Sequence, residues 1–370
     1  MTAYLLVGLV GAVVTFVTTP LVRMLSIRFN AIDQPNDRKV HAEPTPTLGG
    51  FALLGGIVAA GAVASRMPEF EGVFTSSLEA WGILAGGVII FALGVVDDLR
   101  DLPAPVKLAG QVFAPGILFL SGVKMQYVLL PNGAYNLSDD VSVLVTVVWL
   151  VAMINAVNLV DGLDGLAAGI VAIASASFFV YTFQIAEQGL YGAVVTAPLV
   201  AVVIVGISLG FLRHNFHPAR IFMGDSGSML LGLVLGATTV AGIGNAPQID
   251  VTPSNSEVFL AYFPLVIPLM VIALPILDAL LAIVRRARRR RSVFHADKAH
   301  LHHRLMDLGH GHRQAVLVMY LWSALAAGAA HAFQVLDRGD VIFGFPIAVG
   351  AIVLYTLFPV LTKAVQDRVD

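Results

Sequence analysis

Runs of about twenty apolar residues, broken by short charged or Gly/Pro-rich segments, recur along the whole chain, and a run of that length is what a helix needs to cross a bilayer. Read against their charged breaks, the runs give eleven segments: 3–22, 48–65, 80–96, 107–123, 141–157, 166–185, 191–212, 226–243, 257–284, 314–333 and 341–362. Composition points the same way. Of 370 residues, 57% are hydrophobic and 12% charged, about half the charge density of ordinary soluble domains. A soluble globular enzyme is excluded, and so is a disordered chain, which needs low hydrophobicity and high net charge. The runs are continuous rather than alternating, which excludes a membrane β-barrel. With no cysteine there can be no disulfide, iron–sulfur cluster or thiol nucleophile, and a zinc site would need His and carboxylates. The expected fold is all-α: a polytopic membrane bundle of about eleven helices forming a single domain over residues 1–370.

Charge placement orients the bundle. No basic residue precedes the first run and Arg23 follows it, the pattern expected of a retained first helix with its N-terminus outside rather than of a cleaved signal. The connections after spans 1, 3, 5, 7 and 9, with the C-terminus, hold all 22 basic residues except Arg66, Lys124 and Arg338. The positive-inside rule makes that side cytoplasmic. A multi-pass protein of the plasma (inner) membrane is expected, its chemistry carried by cytoplasmic loops at about 23–47, 97–106, 155–166, 213–228 and 285–313. External connections such as 125–140 and 245–256 are rich in the turn formers Asn, Pro, Gly and Ser.

Each cytoplasmic loop carries groups with chemical potential, and each has a plainer reading. In the first, Arg38, Lys39 and His41 offer anion-binding groups on a backbone fixed by Pro and Gly; a basic flank is also common for topology alone. The third span ends in Asp97 and Asp98, with Asp101 one turn on. Adjacent acids at a membrane boundary can raise one another's pKa toward the range of a general base, or share a divalent cation. A solvated helix end opposed to Arg100 is the alternative, but the helix dipole disfavours acids there, so something must offset them. After span 5, Asn155, Asn158, Asp161 and Asp164 have no basic neighbour in sequence, and oxygen ligands of this kind suit a hard cation such as Mg²⁺ better than a polar turn.

The fourth loop ends in Gly224-Asp225-Ser226-Gly227-Ser228 as span 8 begins. Free N–H groups at a helix N-terminus favour phosphate, although Asp225 also reads as a plain N-cap. Arg213, His214, Asn215, His217 and Arg220 crowd just before it. The last loop opens with the arginine run 285–291, best read as topology and anionic-lipid contact. His300, His302, His303 and Arg304 follow without an HExxH pattern, so a phosphate or diphosphate clamp uses them better than zinc. Carboxylates for Mg²⁺ with Arg, Lys and His for phosphates describe phosphoryl transfer from a nucleotide-type donor.

The strings DRKVHAEPTPTLGG, DDLRD, NAVNLVDGLDGLAAG, PARIFMGDSGS and HADKAHLHHRL, in this order and spacing, resemble the polyprenyl-phosphate N-acetylhexosamine-1-phosphate transferases along nearly the whole chain. HLHH after ADK looks like the UDP-GlcNAc branch, since the muramyl-pentapeptide branch has three consecutive histidines. The resemblance implies transfer of GlcNAc-1-phosphate from UDP-GlcNAc to polyprenyl phosphate with release of UMP, and Mg²⁺ as cofactor with Mn²⁺ as a substitute. An Ala/Val/Gly/Arg-rich composition is similar to that of actinobacterial enzymes, for which the acceptor is decaprenyl phosphate; the resemblance implies decaprenyl or undecaprenyl phosphate as acceptor.

By resemblance, Asp225 binds Mg²⁺ with Asn158 as companion, and Asp97 and Asp98 form the acidic pair, Asp97 being the base; the catalytic set is Asp97, Asp98 and Asp225. Asp161, Asp164, Asn215 and Phe222 contact uridine or shape its pocket. His300, His302, His303 and Arg304 engage the sugar diphosphate, and Arg38, Lys39 and His41 border the nucleotide. A homodimer is the implied assembly, with no nucleic-acid partner. Direct in-line attack is the simpler route; a two-step route through an aspartyl phosphate uses the same residues. The competing readings are the same chemistry on UDP-MurNAc-pentapeptide and, from another class, an ion-coupled transporter. A transporter would place polar residues at mid-bilayer and on both faces. The CDP-alcohol phosphotransferases share the Asp-Gly flavour of DGLDGLAAG but need an Ala-Arg pair that this string lacks.

Overall fold

The computed structural model describes residues 1–35, 43–130, 133–187, 196–244, 305–306, 308–335 and 346–357. The sequence span 257–284 and both ends of 341–362 therefore lie outside the described residues, as do Arg38, Lys39, His41, His300, His302, His303 and Arg304. The apolar runs become helices because a chain in hydrocarbon must satisfy its backbone groups internally. In chain order these are α1 (Thr2–Arg28), α2 (Gly50–Ala64), the short α3 (Glu71–Thr75), α4 (Glu79–Arg100), α5 (Ala104–Leu120), α6 (Asp139–Val160), α7 (Leu166–Glu187), α8 (Thr196–Asn215) and α9 (Gly224–Gly244). Two more follow, α10 (His312–Val335) and α11 (Pro346–Leu357).

Among the described residues α1, α4, α6, α7 and α8 are long and apolar enough to cross a membrane. A sixth crossing forms if α2 and the segment Pro68–Thr75, bent by 101° from it, count as one. The architecture is that of an all-helical, multi-pass membrane protein. Its outer surface is apolar, with Leu5, Leu9 and Phe16 of α1 exposed. Thr15 and Thr19 are buried, their hydroxyls bonded to the carbonyls of Ala52 and Thr15 at 3.3 and 2.6 Å. This inside-out distribution is what lipid selects, because tails solvate leucine as well as a protein interior does.

Helix α9 is the axis of the bundle. It packs on α2, α4, α6, α7 and α8, and Met229, Leu230, Leu231, Leu233 and Leu235 along it are wholly buried. Its N-terminus is thereby delivered to the ends of α4 and α6. Gly94 of α4 makes the approach close, since a Cβ there would lie 2.5 Å from the Ser226 nitrogen.

Two small hairpins were not legible as strands. β1 (Ile32–Asp33) pairs antiparallel with β2 (Thr45–Pro46), in register Ile32↔Pro46. β3 (Tyr127–Leu130) pairs with β4 (Gly133–Asn136), in register Val128↔Tyr135. The second falls in the connection read as turn formers, where four apolar residues, Tyr127 to Leu130, find a backbone partner across a Pro-Asn-Gly sequence. The segment after β2 is stitched to the approach to α9: the Phe222 N–H donates to Pro46 O (2.8 Å), and the Gly49 and Gly50 N–H groups donate to Phe222 O and Met223 O (both 3.0 Å).

Candidate active site

At the end of α4, Asp97 is buried and Asp98 follows it. The two acids face different partners. Asp97 Oδ1 accepts the Leu102 N–H (2.7 Å), and its Oδ2 lies 2.6 Å from Lys107 Nζ, in the second turn of α5. The same ammonium is paired with Asp225 Oδ2. Asn158, in the last turn of α6, donates from Nδ2 to Asp225 Oδ1 (2.8 Å) and to Ser228 Oγ (2.9 Å). Four elements thus converge on one point: the end of α4, the start of α5, the end of α6 and the start of α9.

Asp98 does something else. Its Oδ1 accepts the Asp225 N–H (2.7 Å) and its Oδ2 the Ser226 N–H (3.1 Å), so it caps α9 from another helix. The N–H groups that the sequence suggested were free for phosphate are therefore occupied by a carboxylate. Gly224 permits this at φ +70°; a Cβ there would lie 2.5 Å from Asp98 Oδ2 and 2.7 Å from Thr47 Oγ1. The offset that acids at a helix C-terminus require is supplied twice, by Lys107 for Asp97 and by the N-terminus of α9 for Asp98.

The polar string after α6 does not continue as a helical face. The helix stops at Val160, Asp161 is its C-cap, and Gly165 takes φ +80°. Asp164 accepts from the Ala219 N–H (3.0 Å) and pairs with His217 Nδ1 at 2.7 Å, which ties this turn to the segment before α9. Asn215 is buried and works from the other side: its Oδ1 accepts the Gly165 N–H (3.1 Å) and its Nδ2 donates to Ile221 O (3.0 Å). His217 stacks on His312, with centroids 4.0 Å apart and planes 13° apart. Asp164, His217 and His312 bring three ligand atoms within 4.8 Å, but parallel stacked imidazoles do not aim their in-plane lone pairs at a common metal.

Asp161 is held well above the ordinary carboxylate range, first by burial and then by the charges of Asp225, Asp98 and Asp164. That repulsion measures an excess of negative charge around a single lysine. The oxygen donors Asp225, Asn158 and Asp97 are hard ligands and the chain has no cysteine thiolate to offer, so the residues fit Mg²⁺.

Of the sequence-derived set, the structure brings together Asp97, Asp98, Asn158 and Asp225, with Asp161 beside them electrostatically. It sets Asp164 and Asn215 in the adjoining turns and Phe222 in the backbone stitch to β2. Lys107 was missed, having been counted only as a topological charge. A signal existed: a lysine near the N-terminus of an apolar helix, where the dipole opposes it, needs an anionic partner.

A family model described as glycosyl transferase family 4 matches residues 80–243. The decaprenyl-phosphate N-acetylglucosaminephosphotransferase of Mycolicibacterium smegmatis is 40% identical over 364 residues, covering 97% of this chain and 89% of that protein. The undecaprenyl-phosphate alpha-N-acetylglucosaminyl 1-phosphate transferase of Yersinia pestis is 27% identical, over 82% of this chain and 77% of its own. A phospho-N-acetylmuramoyl-pentapeptide-transferase of Corynebacterium diphtheriae is 32% identical over a smaller share, 65% of this chain and 77% of that one.

Proposed function

The chain belongs to the polyprenyl-phosphate N-acetylglucosamine-1-phosphate transferase family, and on that premise we propose that it moves GlcNAc-1-phosphate from UDP-GlcNAc to decaprenyl phosphate, releasing UMP. The observation that carries the reading is the convergence of Asp97, Lys107, Asn158 and Asp225 on one point at the ends of membrane helices. The muramyl-pentapeptide alternative has weaker support, because the relative of that type matches less of the chain.

In the reaction an oxygen of the lipid phosphate attacks the sugar-bearing phosphorus of the donor. The bond from that phosphorus to the bridging oxygen breaks, and its electron pair leaves with UMP. Asp97 takes the proton of a monoprotonated lipid phosphate. Lys107, already between two carboxylates, moves its ammonium onto an incoming phosphate oxygen and so exchanges one anionic partner for another. Asp98 acts through the backbone, holding Asp225 in place. Asp225 and Asn158 would hold Mg²⁺, which when bound neutralises charge developing on the leaving group. The turn at Asp161–Gly165, fastened by Asp164 and Asn215, shapes the uridine side. The basic residues outside the described structure, Arg38, Lys39, His41, His300, His302, His303 and Arg304, are assigned to the nucleotide and its diphosphate. The positive-inside distribution supports eleven spans, an external N-terminus and a cytoplasmic site.

The test uses purified protein in detergent with Mg²⁺, decaprenyl phosphate and UDP-GlcNAc labelled in the sugar. The expected result is label in the lipid with stoichiometric UMP, lost on adding EDTA. Transfer from a different UDP-sugar alone would overturn the substrate, and no transfer from any donor by folded protein would overturn the reaction.

A further inference from the structure

At the C-terminal end of α8, bordering the turn fastened by Asp164 through His217, lies a groove of about 570 Å³. One side of α8 runs into it. Leu209, Leu212, Arg213 and Phe216 line the groove at the i, i+3, i+4, i+7 spacing that aligns residues on one helix face. Phe216 is still in register, its N–H donating to Leu212 O at 2.8 Å. Leu209 is 53% exposed. The face therefore passes from bare leucine to cation over a single turn.

Arg220 and Arg313 line it as well, together with His217 and Pro218. Arg313 Nε donates to His217 O (2.9 Å), which holds its guanidinium at the rim, and Arg23 Nε donates to Arg220 O (3.0 Å), bringing a further cation from α1. None of Arg213, Arg220 and Arg313 forms an ion pair with a carboxylate among the described residues, and the nearby Asp164 is engaged by His217 and Ala219. The helix dipole accounts for Arg213 at the end of α8. It does not account for Arg220, which lies in no helix, and it opposes Arg313 in the first turn of α10.

We propose that this groove binds the headgroup phosphate of an anionic phospholipid at the membrane surface, with an acyl chain lying along Leu209. Three guanidinium groups with no carboxylate partner among the described residues give the groove an unbalanced positive charge, and planar guanidinium forks suit phosphate oxygens. An exposed leucine one turn toward the bilayer needs a tail, so an amphiphile satisfies both where a soluble anion satisfies one. Basic pockets beside membrane helices bind anionic headgroups by this logic. The inference is independent of the transferase reading.

The experiment places the full-length protein in nanodiscs of phosphatidylcholine containing phosphatidylglycerol, and counts retained lipids by native mass spectrometry. The wild type should keep phosphatidylglycerol over phosphatidylcholine. Arg213→Gln and Arg313→Gln should each weaken that retention roughly fivefold, and the pair more. If the variants fail to fold, the wild type alone still decides, because its retention of phosphatidylglycerol should fall as salt is raised. Equal retention of the two lipids, or retention unchanged in folded double variant, would overturn the site. Displacement by glycerophosphate without a tail would overturn the lipid assignment, and preferential exchange for polyprenyl phosphate at equal mole fraction would give the groove to the acceptor instead.

Discussion

Around Lys107 four carboxylates, Asp97, Asp98, Asp161 and Asp225, crowd together and two of them, Asp97 and Asp225, share its ammonium, whereas around the α8 groove three guanidinium groups have no carboxylate partner among the described residues. Both clusters lie at helix ends, yet they are built differently. In the acidic cluster Asp97, Asp98 and Asp225 have named donors within hydrogen-bond reach, and two of the groups are main-chain N–H acceptors, so positions are fixed before any ligand arrives. The arginines reach in on long exposed stems, held by a single bond each where they are held at all. A fixed array suits a reaction whose geometry must be met on every cycle. An adaptable one suits a partner that need only stay.

The sharpest way to break the contrast is at Asp225. Asp225→Ala removes the carboxylate on which Lys107 and Asn158 converge, and turnover should fall by about 10²–10³-fold or more, measured by UMP release. Phosphatidylglycerol retention should be untouched, and full activity in a folded variant would refute the assignment. Lys107→Gln comes next, with a loss of about 10²-fold. Divalent-cation affinity should rise in this variant, because a competing positive charge has gone; titration of activity with Mg²⁺ reads this directly, and weaker metal affinity would count against it.

Asp98→Ala should be milder for chemistry and harsher for stability. Loss of the cap on α9 should cost about 1–2 kcal/mol, seen as a lower melting temperature, with reduced turnover following from a displaced Asp225. Complete inactivity at unchanged stability would instead make Asp98 a directly reacting group. The smallest expected effect is at Asp161. Burial and the neighbouring carboxylates raise its folded pKa, so the folded state binds a proton that the unfolded state has lost. Stability then declines as pH rises from about 4, the ordinary aspartate value, through the raised folded value. In chelator, Asp161→Asn should be flat where the wild type declines, a gain of a few degrees near neutral pH, and added Mg²⁺ should narrow the gap. Parallel melting curves for the two proteins would contradict the crowding of charge.

Much of this was legible in the sequence, for identifiable reasons. Runs as apolar as 80–96 or 141–157 leave no option but a membrane helix, and their polar ends set Asp97, Asn158 and Asp225 at one surface. Helix ends were less legible: α6 runs on to Val160, which puts Asn158 on a helix rather than in a loop. The role of Lys107 was hidden because one lysine beside a span satisfies the topology rule by itself. The Asp98 cap was hidden because it joins residues 127 positions apart, and no local pattern marks a helix capped by a side chain from another helix. The 101° bend after α2 has the same character: Pro68 marks where a helix can break, not the direction taken afterwards.

That cap has a consequence for inhibition. Asp97 and Asp98 are joined by one peptide unit, and Asp98 grips the main chain of Asp225, so the two carboxylates that face Lys107 are set by a ruler one residue long. A wedge driven between α4 and α9 could not widen the gap gradually; it would have to break both main-chain hydrogen bonds at once. Compounds that mimic the gap at rest should therefore outperform compounds that stretch it, and resistance substitutions in either helix should appear in matched pairs.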